Sequence, residues 1–265
     1  MDINSTVRLN NGVEMPCLGL GTWLMKPAQA HESVGWALEA GYRSVDTAKL
    51  YENETDVGRA VRESGIRREE IFVTTKLLDV DQGYKQAFKG FEESLGKLGL
   101  DYVDLYLIHF PVEGLRNESW RALTEILAGG KARAIGVSNY QVEHLEELIA
   151  SSDVVPAVDQ VMVNPYMYPI ELHDYCREHG IVLEGYSPLT HGARLNDPVL
   201  AEIGAQYGKT PAQVLIRWAL DKEVPVIPKS VHRQRIVENT DIFDFDLNAI
   251  DKAQLDVLNK GILYM

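Results

Sequence analysis

Cysteine is scarce in this chain. It occurs only at Cys17 and Cys176, far apart and in no CxxC arrangement. That leaves no disulfide scaffold or Cys-based zinc site to expect, calls for no metal, and points to a reducing compartment. Positive charge is scarce as well: 26 Lys and Arg stand against 39 Asp and Glu, for a formal net charge of −13. So acidic a chain is a poor candidate for wrapping nucleic acid or lying on an anionic membrane. No run of about 18 apolar residues occurs, so no membrane span is expected. The opening MDINSTVRLNNG has no apolar core, which argues against a signal peptide and for a cytoplasmic protein. Low-complexity stretches and Pro/Gly/Ser linkers are absent too. There is no Walker A sequence, and Gly19-Leu20-Gly21 continues as Thr22-Trp23-Leu24 without the third glycine of a GxGxxG fingerprint.

What is present is an ordinary globular composition, 45% hydrophobic and 25% charged over 265 residues. That is enough chain to bury a core without covalent staples. Short apolar or β-branched runs alternate with longer segments of helical period. VRLNNGVEMP reads as a β-hairpin turning at Asn11-Gly12. Strand candidates follow at Leu18–Gly21, Tyr42–Asp46, Ile71–Thr75, Tyr102–Ile108, Ala132–Val137, Ala157–Val161, Val182–Tyr186 and Val224–Pro228. Between them lie helical segments, and two more helices follow the last strand, near Arg233–Asn239 and Asn248–Asn259. Thr210-Pro211 forms an N-cap with proline at the first helical position. Gly41, Gly65, Gly99, Gly129 and Gly180 sit where left-handed C-caps belong. The pattern predicts a single-domain α/β chain spanning 1–265, a (β/α)8 TIM barrel with an N-terminal hairpin and two extra C-terminal helices; an open doubly wound sheet is the alternative.

Barrels place their functional side chains at the C-terminal ends of strands. Reading those ends gives Asp46, Lys76, His109, Ser138 and Asn139, Gln160, Tyr186 and Ser187, then Lys229 and Ser230. Polar residues at strand ends have a plainer explanation, solvent exposure. That explanation accounts less well for Asp, Lys and His ending three successive strands. Tyr51 lies on the loop after Asp46. A tyrosine with a reference pKa near 10 needs a neighbouring ammonium to become a ready proton donor, and a carboxylate to hold that ammonium. Asp46, Lys76 and Tyr51 supply the three parts, and His109 adds a donor to a carbonyl oxygen. The set suits general acid catalysis on a carbonyl. No side chain supplies a hydride, so a nicotinamide cofactor is implied. Lys229, His232, Arg233 and Arg235 form a basic cluster at the eighth strand end, ahead of a helix N-terminus. That is where a 2′-phosphate would profit most, and it favours NADP(H) over NAD(H).

These residues fall in motifs. Gly41-Tyr42-Arg43-Ser44-Val45-Asp46-Thr47-Ala48 with Tyr51, Glu54 and Gly58 is one; Ile135 to Tyr140 is a second; Ile227-Pro228-Lys229-Ser230 with Arg235, Glu238 and Asn239 is a third. Together with Leu98 to His109, they resemble the aldo-keto reductase family over essentially the whole chain, in the bacterial and archaeal diketogluconate reductase-like group. The resemblance implies a barrel that binds NADPH at its C-terminal face. It makes Tyr51 the proton donor, tuned by Lys76 and Asp46, with His109 orienting the carbonyl. Ser138, Asn139 and Gln160 would hold the carboxamide, and Tyr186 would stack on the ring. Ser187 and Leu189 would line the pyrophosphate path. Lys229, Ser230 and Arg235 would take the 2′-phosphate, and Glu238 and Asn239 the adenine.

Trp23, Leu78, Phe110 and Tyr51 would wall an apolar substrate pocket. Leu78 and Phe110 stand where family members often carry tryptophan. The short Pro111–Trp120 segment and the little chain after the last helix suggest an open site of broad small-carbonyl range. Asp159 replaces a usual asparagine, and Met162 and Asn164 replace glutamate and histidine, with indirect effects expected. His31, His144, His173 and His179 read as surface or packing residues; His191 has no assigned role. Two other readings stay open: a cofactor-binding regulatory protein on this fold, and an unrelated barrel enzyme with a phosphate site. A monomer with a small-molecule substrate and no nucleic-acid or membrane partner is the default.

Overall fold

The computed structural model describes residues 1–261. An antiparallel hairpin opens the chain, β1 (Thr6–Arg8) paired with β2 (Glu14–Pro16). Its turn differs from the expected two-residue form. Gly12 N–H bonds to Leu9 O, and in this turn only Gly12 takes a positive φ, +87°. An Asn11-Gly12 type I′ turn needs both residues left-handed; a type I turn with a left-handed glycine after it leaves Asn11 in ordinary space.

Seven parallel strands follow in sequential order: β3 (Leu20–Gly21), β4 (Ser44–Asp46), β5 (Phe72–Leu77), β6 (Val103–Ile108), β7 (Ala132–Ser138), β8 (Val158–Met162) and β9 (Val182–Tyr186). The eighth predicted strand, Val224–Pro228, does not form a ladder. Val226 alone makes parallel bridges, to Leu18 on one side and Gly185 on the other. Pro225 and Pro228 have no N–H to donate, which limits the segment to isolated bonds. Those bonds still bring β9 round to β3 and nearly close the barrel.

Helices α1 (Pro27–Glu39), α2 (Glu54–Glu63), α3 (Tyr84–Leu98), α4 (Arg116–Ala128), α5 (Val142–Ser151), α6 (Ile170–Glu178), α7 (Pro198–Tyr207) and α8 (Pro211–Asp221) lie between the strands; α9 (Arg233–Glu238) and α10 (Ala249–Asp256) complete the chain. Thr210 caps α8 as predicted, with Gln213 reaching back to its N–H at 2.8 Å. Four of the five expected glycine caps have positive φ. At the end of α4 the left-handed residue is Gly130, one later than Gly129.

Strand alternation sorts the core into two regions. Val45, Val73, Tyr106, Ile135 and Leu183 face the helices in one large buried cluster. Phe72, Leu105, Leu107, Ala134 and Val158 form a second cluster with Leu9 and Met15 of the hairpin. The hairpin therefore plugs the N-terminal end of the barrel, and only the C-terminal mouth is left for chemistry. Gly19-Leu20-Gly21 serves this narrow interior: a Cβ on Gly19 would lie 2.8 Å from Ser44 Oγ, and one on Gly21 2.7 Å from Ile227 O. Among the described residues no helix is long and apolar enough to cross a membrane.

Candidate active site

Alternation that sends Phe72 inward also sends Lys76 inward, and Asp46, Gln160, Glu184 and Tyr186 share that parity on their own strands. Lys76 is fully buried and Asp46 nearly so. The Lys76 ammonium lies 2.6 and 2.7 Å from the two Asp46 oxygens and donates to Thr47 O at 3.0 Å. Tyr51 ends a short 3-10 turn after β4 and brings its Oη to 3.4 Å from Lys76 Nζ. That loop is fastened by two residues the sequence reading did not single out for the site. Asn53 donates to Thr22 O and Met25 O at 3.0 and 3.2 Å and accepts from Thr47 Oγ1 at 2.7 Å. Glu54 accepts from Thr75 Oγ1 at 2.7 Å.

The electrostatics refine the expected tuning of Tyr51. Burial pushes the phenol up, Lys76 pulls it down and Asp46 pushes it up again; the net direction is upward. Lys76 therefore stabilises a phenolate without producing one at rest, because desolvation of the phenolate is the larger effect. For Lys76 itself, burial works downward, but Asp46, then Tyr51 and Glu184, outweigh it and the ammonium is held charged. His109 is buried, and burial with the Lys76 charge lowers its pKa to about 3. Its imidazole is neutral at physiological pH, Nδ1 is enclosed without a partner, and its ring stacks on Phe110 at 4.8 Å and meets Tyr51 edge-on at 5.6 Å.

On the far side of the mouth, Ser138 Oγ donates to Gln160 O at 2.7 Å, Asn139 Nδ2 to His109 O at 3.0 Å, and Tyr186 Oη to Asn139 Oδ1 at 2.8 Å. Asn139 sits at φ +63°, a left-handed position that asparagine tolerates. The loop after β9 carries three more left-handed non-glycine residues, Ser187, Thr190 and His191. Ser187 Oγ and His191 Nε2 are 2.7 Å apart, and the His191 ring lies 5.1 Å from that of Trp23. His191 thus joins the ninth strand's loop to the third strand's loop over the mouth. Asn164 holds the same loop by donating to Ser187 O at 3.3 Å. Leu189 is partly buried against the core.

The basic segment is smaller than the sequence suggested. Arg233 is paired with Glu39 at 3.1 Å. Lys229 and Arg235 are exposed and in no ion pair among the described residues. Ser230 is buried and accepts from His232 N–H at 3.1 Å. The helix behind it, α9, has six residues, so its dipole adds little. Glu238 accepts from Thr210 Oγ1 at 2.8 Å, and Asn239 is buried. Trp23 and Phe110 stay 37% and 39% exposed at the rim, and Leu78 is partly buried. Trp120, which lies within α4 and not at a loop end, belongs to the core, donating to Ser152 Oγ and Val154 O at 3.2 Å. His31, His173 and His179 bond to Glu63, Tyr168 and Tyr175, and His144 packs on Tyr140, all away from the mouth.

A plugged eight-segment barrel with a buried Asp–Lys pair under a tyrosine and a neutral histidine defines a carbonyl-reducing oxidoreductase class. The sequence places the chain more narrowly: residues 17–260 match the aldo/keto reductase family, and the chain belongs to it. It is 49% identical to the glyoxal reductase of Bacillus subtilis, over 97% of this chain and 94% of that protein. It is 46% identical to the morphine 6-dehydrogenase of Pseudomonas putida, over 97% and 92%. Its fold superposes with a TM-score of 0.95 on a Bombyx mori aldo-keto reductase solved in complex with NADP, at 34% identity and covering 100% and 96% of the two chains.

Proposed function

We propose that this chain reduces small aldehydes and ketones to alcohols with NADPH, using Tyr51 as general acid. The observation that carries the reading is the stack of Asp46, Lys76 and Tyr51 beneath one opening, with neutral His109 beside it. The donor set fits a nicotinamide dinucleotide. Gln160 is 1% exposed, and its side-chain carbonyl oxygen accepts no hydrogen bond among the described residues. Lys229 and Arg235 are cations free to meet a phosphate. Ser138, Asn139, Gln160 and Tyr186 would hold the nicotinamide end, Ser187 and Leu189 the pyrophosphate, Lys229, Ser230 and Arg235 the 2′-phosphate, and Glu238 and Asn239 the adenine. When bound, the cofactor supplies the hydride to the carbonyl carbon.

The chain's own residues handle the proton. Neutral His109 offers an N–H to the carbonyl oxygen and fixes its direction. Tyr51 Oη gives that oxygen its proton, and the phenolate left behind is stabilised by the Lys76 ammonium. Asp46 holds the ammonium in place. A protein already protonated at Tyr51 at rest is poised for reduction, because the raised phenol keeps its proton across neutral pH. Trp23, Leu78 and Phe110 wall an open mouth that suits several small carbonyls. The reading is of a single barrel acting as a monomer in the cytoplasm, consistent with two buried, unpaired cysteines. The experiment is direct: purified protein with methylglyoxal, glyoxal or a nitrobenzaldehyde should consume NADPH absorbance. Binding of NADPH without turnover of any of these carbonyls would favour a regulatory protein instead.

A further inference from the structure

Glu184 lies in the middle of β9, only 2% exposed, inside the barrel and two residues before Tyr186. Nothing in the proton transfer above uses it. An acid buried this way is costly, and proteins keep one seldom without partners. Here the partner is one amide. Gln160 Nε2 donates to Asp46 Oδ2 at 2.8 Å and to Glu184 Oε2 at 2.7 Å. The two carboxyl groups share a single ammonium, Lys76, so the interior carries more acid than base.

We propose that Glu184 is a positioning residue for the nicotinamide site, fixing which end of the Gln160 amide faces the cofactor. This role for Glu184 rests on the cofactor site proposed above. A side-chain amide has one acceptor end and one donor end, and its orientation follows from its neighbours. Asp46 alone offers one acceptor to the NH2 group, which leaves the second N–H unclaimed. With Glu184 on the other side both N–H bonds are taken, and turning the amide over would set its carbonyl against two carboxyl oxygens. The carbonyl is thereby the unused end, with its capacity to accept kept for a carboxamide NH2. Burial first, and the Asp46 charge second, raise the Glu184 carboxyl to about 7. A protonated Glu184 still presents an acceptor oxygen to Gln160 while relieving the excess negative charge beside Lys76.

Two variants and two ligands test this. Glu184→Leu removes the acceptor, whereas Glu184→Gln keeps an oxygen that can accept from Gln160. Adenosine 2′,5′-bisphosphate reports the adenosine half of the site without a nicotinamide. Glu184→Leu should weaken NADPH about tenfold, the value of one lost hydrogen bond, with bisphosphate affinity kept. Glu184→Gln should restore NADPH affinity to within about twofold of the parent, since the same bond is remade. The inference is overturned if Glu184→Leu binds NADPH like the parent, if it loses both ligands equally, or if Glu184→Gln falls as far as Glu184→Leu. A parent protein that binds neither ligand would instead overturn the cofactor reading itself.

Discussion

At the N-terminal ends of the strands, Asp104 accepts from Arg133 at 2.7 Å and from the Val73 N–H at 2.9 Å, and is ion-paired with Arg68 at 2.7 Å. At the C-terminal mouth, Asp46 and Glu184 face one ammonium, Tyr51 sits 3.4 Å from it, and His109 keeps an enclosed nitrogen without a partner. Both places bury an acid completely or nearly so and both tie neighbouring strands together. The difference is saturation. Asp104 has two cations and an amide for one carboxyl, with nothing left to offer a ligand. The mouth has more acid than base, an unpartnered imidazole nitrogen and a side-chain amide carbonyl that accepts no hydrogen bond among the described residues. Surplus polar capacity inside a barrel marks where a substrate or cofactor completes the bonding, and a saturated cluster marks where the fold is held.

Substitutions at the two ends should therefore fail in different ways. The largest effect is expected from Tyr51→Phe, which in the proposed mechanism removes the proton to be transferred and little else. Turnover should fall about 10²- to 10⁴-fold, the usual worth of a general acid, with NADPH affinity nearly kept. Next comes Asp104→Ala. Arg68 and Arg133 are 21% and 42% exposed and can rehydrate, so the loss should be about 2–4 kcal/mol of stability by denaturant titration, below the full cost of stranding a buried charge. Arg235→Ala should weaken NADPH about tenfold and NADH much less, because only NADPH carries the phosphate that a charged hydrogen bond would hold. Equal losses for the two cofactors would remove the 2′-phosphate assignment.

The smallest effect belongs to another buried acid. Asp159 faces the helix layer, neither oxygen makes a well-formed hydrogen bond, and burial, only partly offset by the nearby Tyr140 backbone N–H, raises its carboxyl well above the usual range. Its neighbours Tyr140 and Cys176 are also pushed up by burial. In the folded state it holds a proton that the unfolded chain releases near pH 4, so stability falls as pH rises beyond that value. Asp159→Asn should be the more stable protein at pH 8, and the two melting curves should converge as pH approaches 4. A gap that is constant with pH would show that its titration is not linked to folding.

Much of this was legible in the chain. Strand ends named Asp46, Lys76, His109, Ser138, Asn139 and Gln160, because a parallel barrel turns a one-dimensional pattern of run endings into one mouth. Glu184 escaped that reading since it lies within a strand rather than at its end. The available signal was a lone acid in the apolar run Val-Leu-Glu-Gly-Tyr, in phase with Tyr186. His191 gave no signal, as its role depends on three left-handed residues that bend the loop toward Trp23. Arg233 looked free because Glu39, its partner, is 194 residues away. Val224–Pro228 reads as a full strand; the overlooked signal for its weakness is its two prolines, Pro225 and Pro228.

The contrast between the two ends is tested most directly by turnover per folded molecule, measured for Tyr51→Phe and Asp104→Ala side by side with NADPH and methylglyoxal. The account predicts that Tyr51→Phe melts like the parent and is nearly inactive, while Asp104→Ala melts earlier yet turns over normally for each folded molecule. A Tyr51→Phe protein that retains the parent's rate would contradict it.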